Sequence, residues 1–180
     1  LEVNSNVKIV QADGTTENAL KAESLTVSSA KTLTAGDVTV SSSAQVTGTI
    51  TAEDVTNNGT FTIDGTLSAG DFVNAFGKTV AGNSIINVSG TLTDSGSWTH
   101  TGTISFNGTG VQLFKNTASN SYPAITTTKG LNVVQADGST ANSLKLKSLS
   151  VPASTTVSVA GLTFDSNGSI TGSGKVTASG

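Results

Sequence analysis

Three aspartates, Asp37, Asp54 and Asp71, recur at equal spacing, each inside a near-copy of one hexapeptide: LTAGDV (33–38), ITAEDV (50–55) and LSAGDF (67–72). If that interval, about 17 residues, is one coil of a stacked chain, the carboxylates form a column about 5 Å apart. Such a column is stable only if the groups splay into water or share a cation such as Ca²⁺. These residues are the candidate calcium ligands, although no established calcium loop surrounds them. One histidine and no cysteine leave neither a thiolate site nor a paired-histidine site for a transition metal, and no cofactor is expected. His100 cannot by itself build a Ser-His-Asp relay or a paired-histidine site. A lyase or hydrolase on such a scaffold needs ionisable groups clustered in a groove. Here the acids are scattered and all nine basic residues are lysines, so no catalytic residue is assigned and the chain reads as a non-enzyme.

Two further groups of side chains suit binding. Trp98, His100, Phe106 and Tyr122 could form a patch that stacks on sugar rings, although such aromatics more often pack an irregularity of the repeat. The tripeptides TLT (32–34), TIT (49–51), TLS (66–68) and TLT (91–93) turn the hydroxyls of Thr32, Thr34, Thr49, Thr51, Thr66, Thr91 and Thr93 outward and Leu or Ile inward. Stacked, the first three give a flat array of about 6.6 by 4.8 Å. This array resembles the Thr-x-Thr face of β-helical ice-binding proteins, which implies ice binding as an alternative role. Threonine is also simply favoured on half-exposed strands, and the ladder breaks at Asn83-Ser84-Ile85.

The elements that must position these groups are short strands. LTV (25–27), VTV (38–40), FTI (61–63), ISF (104–106), LKL (144–146), VSV (157–159) and LTF (162–164) alternate apolar and polar residues, the pattern of a strand with one buried face. Gly, Asn, Asp and Ser cluster between them as turns require. Strands this short, recurring at intervals of about 17 residues, bury their apolar faces only by stacking on their neighbours. The expected fold is therefore all-β: a parallel β-solenoid with rungs of about 17 residues, roughly ten rungs forming a rod about 50 Å long. Leu33, Ile50 and Leu67 form one expected interior column, and Val46, Ile63 and Val80 a second. The competing architecture is a tandem pair of Ig-like β-sandwiches, which suits the chain length but gives no reason for turns to repeat in register.

A second, longer period encloses the first. QADGTTENAL (11–20) returns as QADGSTANSL (135–144), and residues 10–48 align without a gap on residues 134–172 with 17 of 39 positions identical. Residues 1–180 are thus expected to form one continuous solenoid, with a first long repeat over about 1–124 and a partial second over about 125–180. The second copy puts Ala141 where Glu17 stood, so the Asp-Gly string reads as a turn and not as a ligand loop.

Only 12% of the residues are charged, arginine is absent and the net charge is −3, which disfavours nucleic acid as a partner. No apolar run is long enough to insert into a membrane. VTGTITAEDVTNNGTFTIDGTLSAGDF (46–72), and GSWTHTGTISFNGTGVQLF (96–114) leading into GLNVVQADGSTANSL (130–144), resemble the right-handed parallel β-helices of secreted bacterial proteins. Autotransporter passengers, filamentous-haemagglutinin-like adhesins and large surface repeat proteins are written in this way. The resemblance implies a secreted or cell-surface location and a structural or adhesive role: a rigid spacer or fibre-forming rod, or alternatively a module that binds a glycan or receptor. It transfers no functional residue. The partners it implies are adjacent repeats of the same protein, end-to-end copies of the chain, or a surface glycan or receptor.

Overall fold

The computed structural model describes residues 1–116 and 119–178, and among them every regular element is a strand. The first nine strands are β1 (Glu2–Val3), β2 (Val7–Lys8), β3 (Leu20–Val27), β4 (Thr32–Val46), β5 (Thr49–Asn57), β6 (Thr60–Ile63), β7 (Thr66–Asn74), β8 (Thr79–Gly82) and β9 (Ile85–Val88). The next five are β10 (Thr91–Asp94), β11 (Ser97–Trp98), β12 (Thr103–Phe106), β13 (Gln112–Lys115) and β14 (Ser121–Thr127). The chain continues with β15 (Leu131–Val134), β16 (Ser143–Ser150), β17 (Thr156–Val159), β18 (Gly161–Thr171) and β19 (Lys175–Ala178). Each pairs in parallel with a strand one coil away, giving a β-solenoid of about 8 turns with about 19 residues per turn. That is about 40 Å of stacked coils.

Each coil supplies three stretches of strand, and these stack into three walls. Wall A carries the inward column Leu20, Val38, Val55, Phe72, Leu92, Phe114 and Val133. Wall B begins with Leu25, Ala44, Phe61, Val80 and Trp98. Wall C runs unbroken through Val7, Leu33, Ile50, Leu67, Ile86, Ile104, Ile125, Leu149 and Ile170. The alternating strands cause this arrangement, since every second side chain enters the interior and meets its counterpart one coil above. From Leu33 to Leu149 the wall C side chains are at most 1% exposed. Each such burial contributes about 1.5–3 kcal/mol.

The equal coil length expected from the hexapeptides holds where Thr32 pairs with Thr49 and Thr49 with Thr66. It then widens. The turn from Ala75 to Lys78, closed by a Lys78 N–H bond to the Ala75 carbonyl, adds two residues and leaves Phe76 87% exposed. Val80 is thereby displaced from the expected column: it stacks on Phe61, and Gly82 takes the place above Ile63. The Leu33, Ile50 and Leu67 column forms as expected.

The long repeat is structural as well as textual. Gly14 and Gly138 hold φ of 73° and 76°, a left-handed conformation that needs the missing Cβ. Each follows an aspartate whose carboxylate accepts from the backbone N–H groups two and three residues on, Thr15 and Thr16 in one copy and Ser139 and Thr140 in the other. The register shifts between Ala22 and Ser24 and again between Leu146 and Ser148, each time because the facing strand, β4 or β18, carries extra residues. Ala30 and Ser154, also equivalent, are both left-handed at 58° and 63°.

Candidate functional site: a slot in wall B

The three aspartates stack in register, Asp37 beside Asp54 and Asp54 beside Asp71. The carboxylates of Asp54 and Asp71 serve the corner between walls C and A. Asp54 Oδ1 accepts the Asp71 N–H at 2.9 Å, and Asp71 Oδ1 accepts the Thr91 N–H at 2.6 Å. Among the described residues no group of three or more His, Cys, Asp or Glu side chains is gathered for a metal ion.

The threonines form two outward columns on wall C: Thr32, Thr49 and Thr66, and beside them Thr34, Thr51 and Ser68. Ile85 interrupts the first column at the next coil, and Asn87 continues the second. Thr91 and Thr93 belong elsewhere. They lie on wall A, opposite Leu113 and Lys115, so they do not extend the array. Their tripeptide matches the others because walls A and C both present the same in–out alternation.

The aromatic residues enter the interior. Trp98, Phe106 and Tyr122 are 7%, 0% and 1% exposed, and His100 is 3% exposed. They form no external platform but link ring to ring. Trp98 meets Phe72, His100 and Tyr122 at centroid distances of 6.2, 6.2 and 5.6 Å, and Phe114 joins Tyr122 at 4.8 Å and Phe106 at 5.7 Å. Phe106 projects from wall C, whereas Trp98 and His100 belong to wall B.

Beside these rings lies a polar network that the sequence reading did not single out. Asn57, Asn74 and Asp94 replace the apolar interior residue on consecutive coils of wall A and are at most 2% exposed. Asn57 Nδ2 donates to Asn74 Oδ1 at 2.9 Å, and Asn74 Nδ2 donates to Asp94 Oδ1 at 2.7 Å. Asp94 Oδ2 accepts from Asn120 Nδ2 and from the Tyr122 hydroxyl, both at 2.6 Å, and the Gly96 N–H also reaches Oδ1 at 3.2 Å. Four donors therefore satisfy a carboxylate that has no cation beside it among the described residues. A signal was present: Asn57 and Asn74 fall one repeat interval apart, each two positions beyond an inward apolar residue.

Wall B is interrupted here. β11 pairs with β8 below it, and β14 pairs with β16 above, but among the described residues no ladder joins β11 to β14. The gap leaves a slot of about 280 Å³ lined by interior rings and exterior side chains together. His100 Nδ1 accepts the Gly102 N–H at 3.2 Å, which places the neutral ring's proton on Nε2. Burial lowers the His100 pKa to about 4, only partly opposed by the charge of Asp64, so the ring is neutral at pH 7. His100 Nε2 and Trp98 Nε1 are two buried donors with no acceptor among the described residues. Lys147 and Asp165 stand at the outer rim.

No family model matches the chain, and neither a curated protein nor a solved structure matches it significantly. The architecture is a parallel β-solenoid, compatible with β-helix repeat proteins.

Proposed function

We propose that the chain is a non-enzymatic stretch of a repetitive bacterial protein, secreted or held at the cell surface, that acts as a stiff spacer of the autotransporter-passenger or filamentous-haemagglutinin-like kind. The observation that carries this reading is the wall C column, nine Val, Leu and Ile side chains in parallel register from Val7 to Ile170. A rod bends or opens only by breaking such a column together with the backbone ladders beside it. The weakly charged exterior without arginine, at net charge −3, keeps the rod soluble without attracting nucleic acid.

The same reading supplies a partner. Leu162, Phe164 and Ile170 are the repeat equivalents of Val38, Val40 and Val46, which are 0% exposed beneath the next coil. Ile170 is 49% exposed, and Leu162 and Phe164 are only partly buried. A further coil stacked on β18 and β19 covers all of them. In the parent protein that coil belongs to an adjacent repeat, and for the isolated chain it is the end of a second copy. Small-angle scattering and light scattering over a concentration series test both parts. The expected result is a rod of constant cross-section that lengthens with concentration, with lengthening abolished by Ile170→Lys. A compact particle would overturn the rod, and a monodisperse monomer at high concentration would overturn the stacking.

A further inference from the structure

We propose that the slot in wall B binds a carboxylate-bearing sugar, such as a uronic acid unit of an acidic glycan. This goes beyond the spacer role, because the rod stands whether or not the slot is filled. The argument starts from which lining groups are already engaged. The Thr99 and Thr101 hydroxyls donate to the Val80 and Gly82 carbonyls, and the Tyr122 hydroxyl donates to Asp94. Ser121 donates to Asp165 Oδ2 at 2.6 Å, while Asp165 Oδ1 pairs with Lys145 at 3.4 Å. Three nitrogens remain without a partner among the described residues: Trp98 Nε1, His100 Nε2 and the Lys147 ammonium. All three donate and none accepts.

A slot whose uncommitted groups are all donors, one of them cationic, selects an acceptor-rich anion. Its volume of about 280 Å³ admits a body of ring size, and the Trp98 and Tyr122 rings with Pro123 offer the apolar surface that a pyranose covers. Lys147 lines the slot where the register of β16 against β18 shifts, the extra residues, 165–168, lying on β18 opposite it. The equivalent residue of the first repeat is Glu23, of opposite charge. Both ring nitrogens are closed off from water. The ligand reaches them by parting β11 from β14, which no backbone ladder joins among the described residues.

Trp98 is the only tryptophan, so its emission reports on the slot alone. Titrating the full chain with glucuronate, glucose and N-acetylglutamate, with calorimetry alongside, tests the assignment. Glucuronate is expected to change the emission saturably and to bind at least about tenfold tighter than either other probe. The exposed Lys147→Ala substitution is expected to weaken it at least about fivefold with the circular dichroism unchanged, and His100→Phe to weaken it further. Absence of saturable binding to glucuronate in both measurements overturns the proposal. So does glucose binding as well as glucuronate, or full affinity in Lys147→Ala. N-acetylglutamate binding as tightly as the sugar acid would overturn it too, assigning the slot to acidic peptides instead.

Discussion

Leu25 and Leu149 occupy the same position of the long repeat, yet they face the interior from different walls. Leu25 lies beneath Ala44 in wall B, whereas Leu149 lies between Ile125 and Ile170 in wall C. Leu20 and Leu144 show the same step, from wall A to wall B. Between them the chain climbs from Leu20 to Val133 in six coils and then advances one wall more. One long repeat is therefore six coils and a third. The sequence of a coil does not dictate which wall it builds, because all three walls ask for the same in–out alternation.

This phase shift is measurable. The Asp13 turn projects from the edge between walls C and A, and the Asp137 turn from the edge between walls A and B. Six coils of rise alone would separate them by about 29 Å, and the change of edge adds a lateral step of one wall, for about 35 Å in all. Spin labels at the exposed positions Thr15 and Ser139 should give the longer distance by dipolar spectroscopy. A distribution centred on the shorter value would return the two turns to one edge.

The interior amide ladder should be expensive to interrupt. Asn74→Leu removes a donor from the Asp94 carboxylate and an acceptor from Asn57 while keeping the volume similar. A loss of about 2–4 kcal/mol in urea unfolding is expected. Asn57→Leu should cost less, because Asn57 donates to the neutral Asn74 amide and the Thr79 carbonyl and touches no charge. Equal losses for the two variants would show that the buried carboxylate does not set the energetics.

Close approach of successive coils explains one glycine of the short repeat. A Cβ on Gly65 would lie 1.9 Å from the Gly48 carbonyl oxygen of the coil below. Gly65→Ala must push two backbones apart and is expected to cost about 2–4 kcal/mol. Gly110→Ala meets nothing within 4 Å and should change stability by less than about 0.5 kcal/mol. Thermal unfolding of the two variants side by side gives the comparison.

The residues that could be read in advance were those whose neighbours repeat them. Asp37, Asp54 and Asp71, the Thr32 and Thr34 columns and the Leu33 column all follow from identical spacing between near-identical hexapeptides. The register was lost where two residues entered at Phe76 and Gly77, so Val80 does not stack where even spacing puts it. Side-chain direction was harder still. Trp98, His100 and Tyr122 look like surface binders by type, but period-2 alternation turns Trp98, stacked on Val80, and His100 inward, and Tyr122 enters in register with the buried Leu146. The slot itself depends on a missing ladder between β11 and β14. Lys147 and Asp165 lie further along the rod and share no motif with Trp98 that spacing could expose.

Burial of His100 makes stability depend on pH in a window of its own. In the unfolded chain the ring titrates near 6.5, whereas in the fold its pKa is about 4. Above pH 6.5 both states are neutral at this ring and it has no effect. As the pH falls from 6.5 to 4 the unfolded chain binds a proton that the folded ring refuses, so stability declines by about 3 kcal/mol. Asp13 and Asp137 act lower down. Hydrogen bonds from Thr16 and Thr140 lead in lowering both pKa values from 3.8 to about 2, so their contribution is present above pH 3.8 and lost only as the pH falls towards 2. Urea unfolding of the native chain should therefore weaken in two separable stages. His100→Phe should remove the first stage while keeping the second, and persistence of the decline between pH 6.5 and 4 in that variant would place its origin outside the slot.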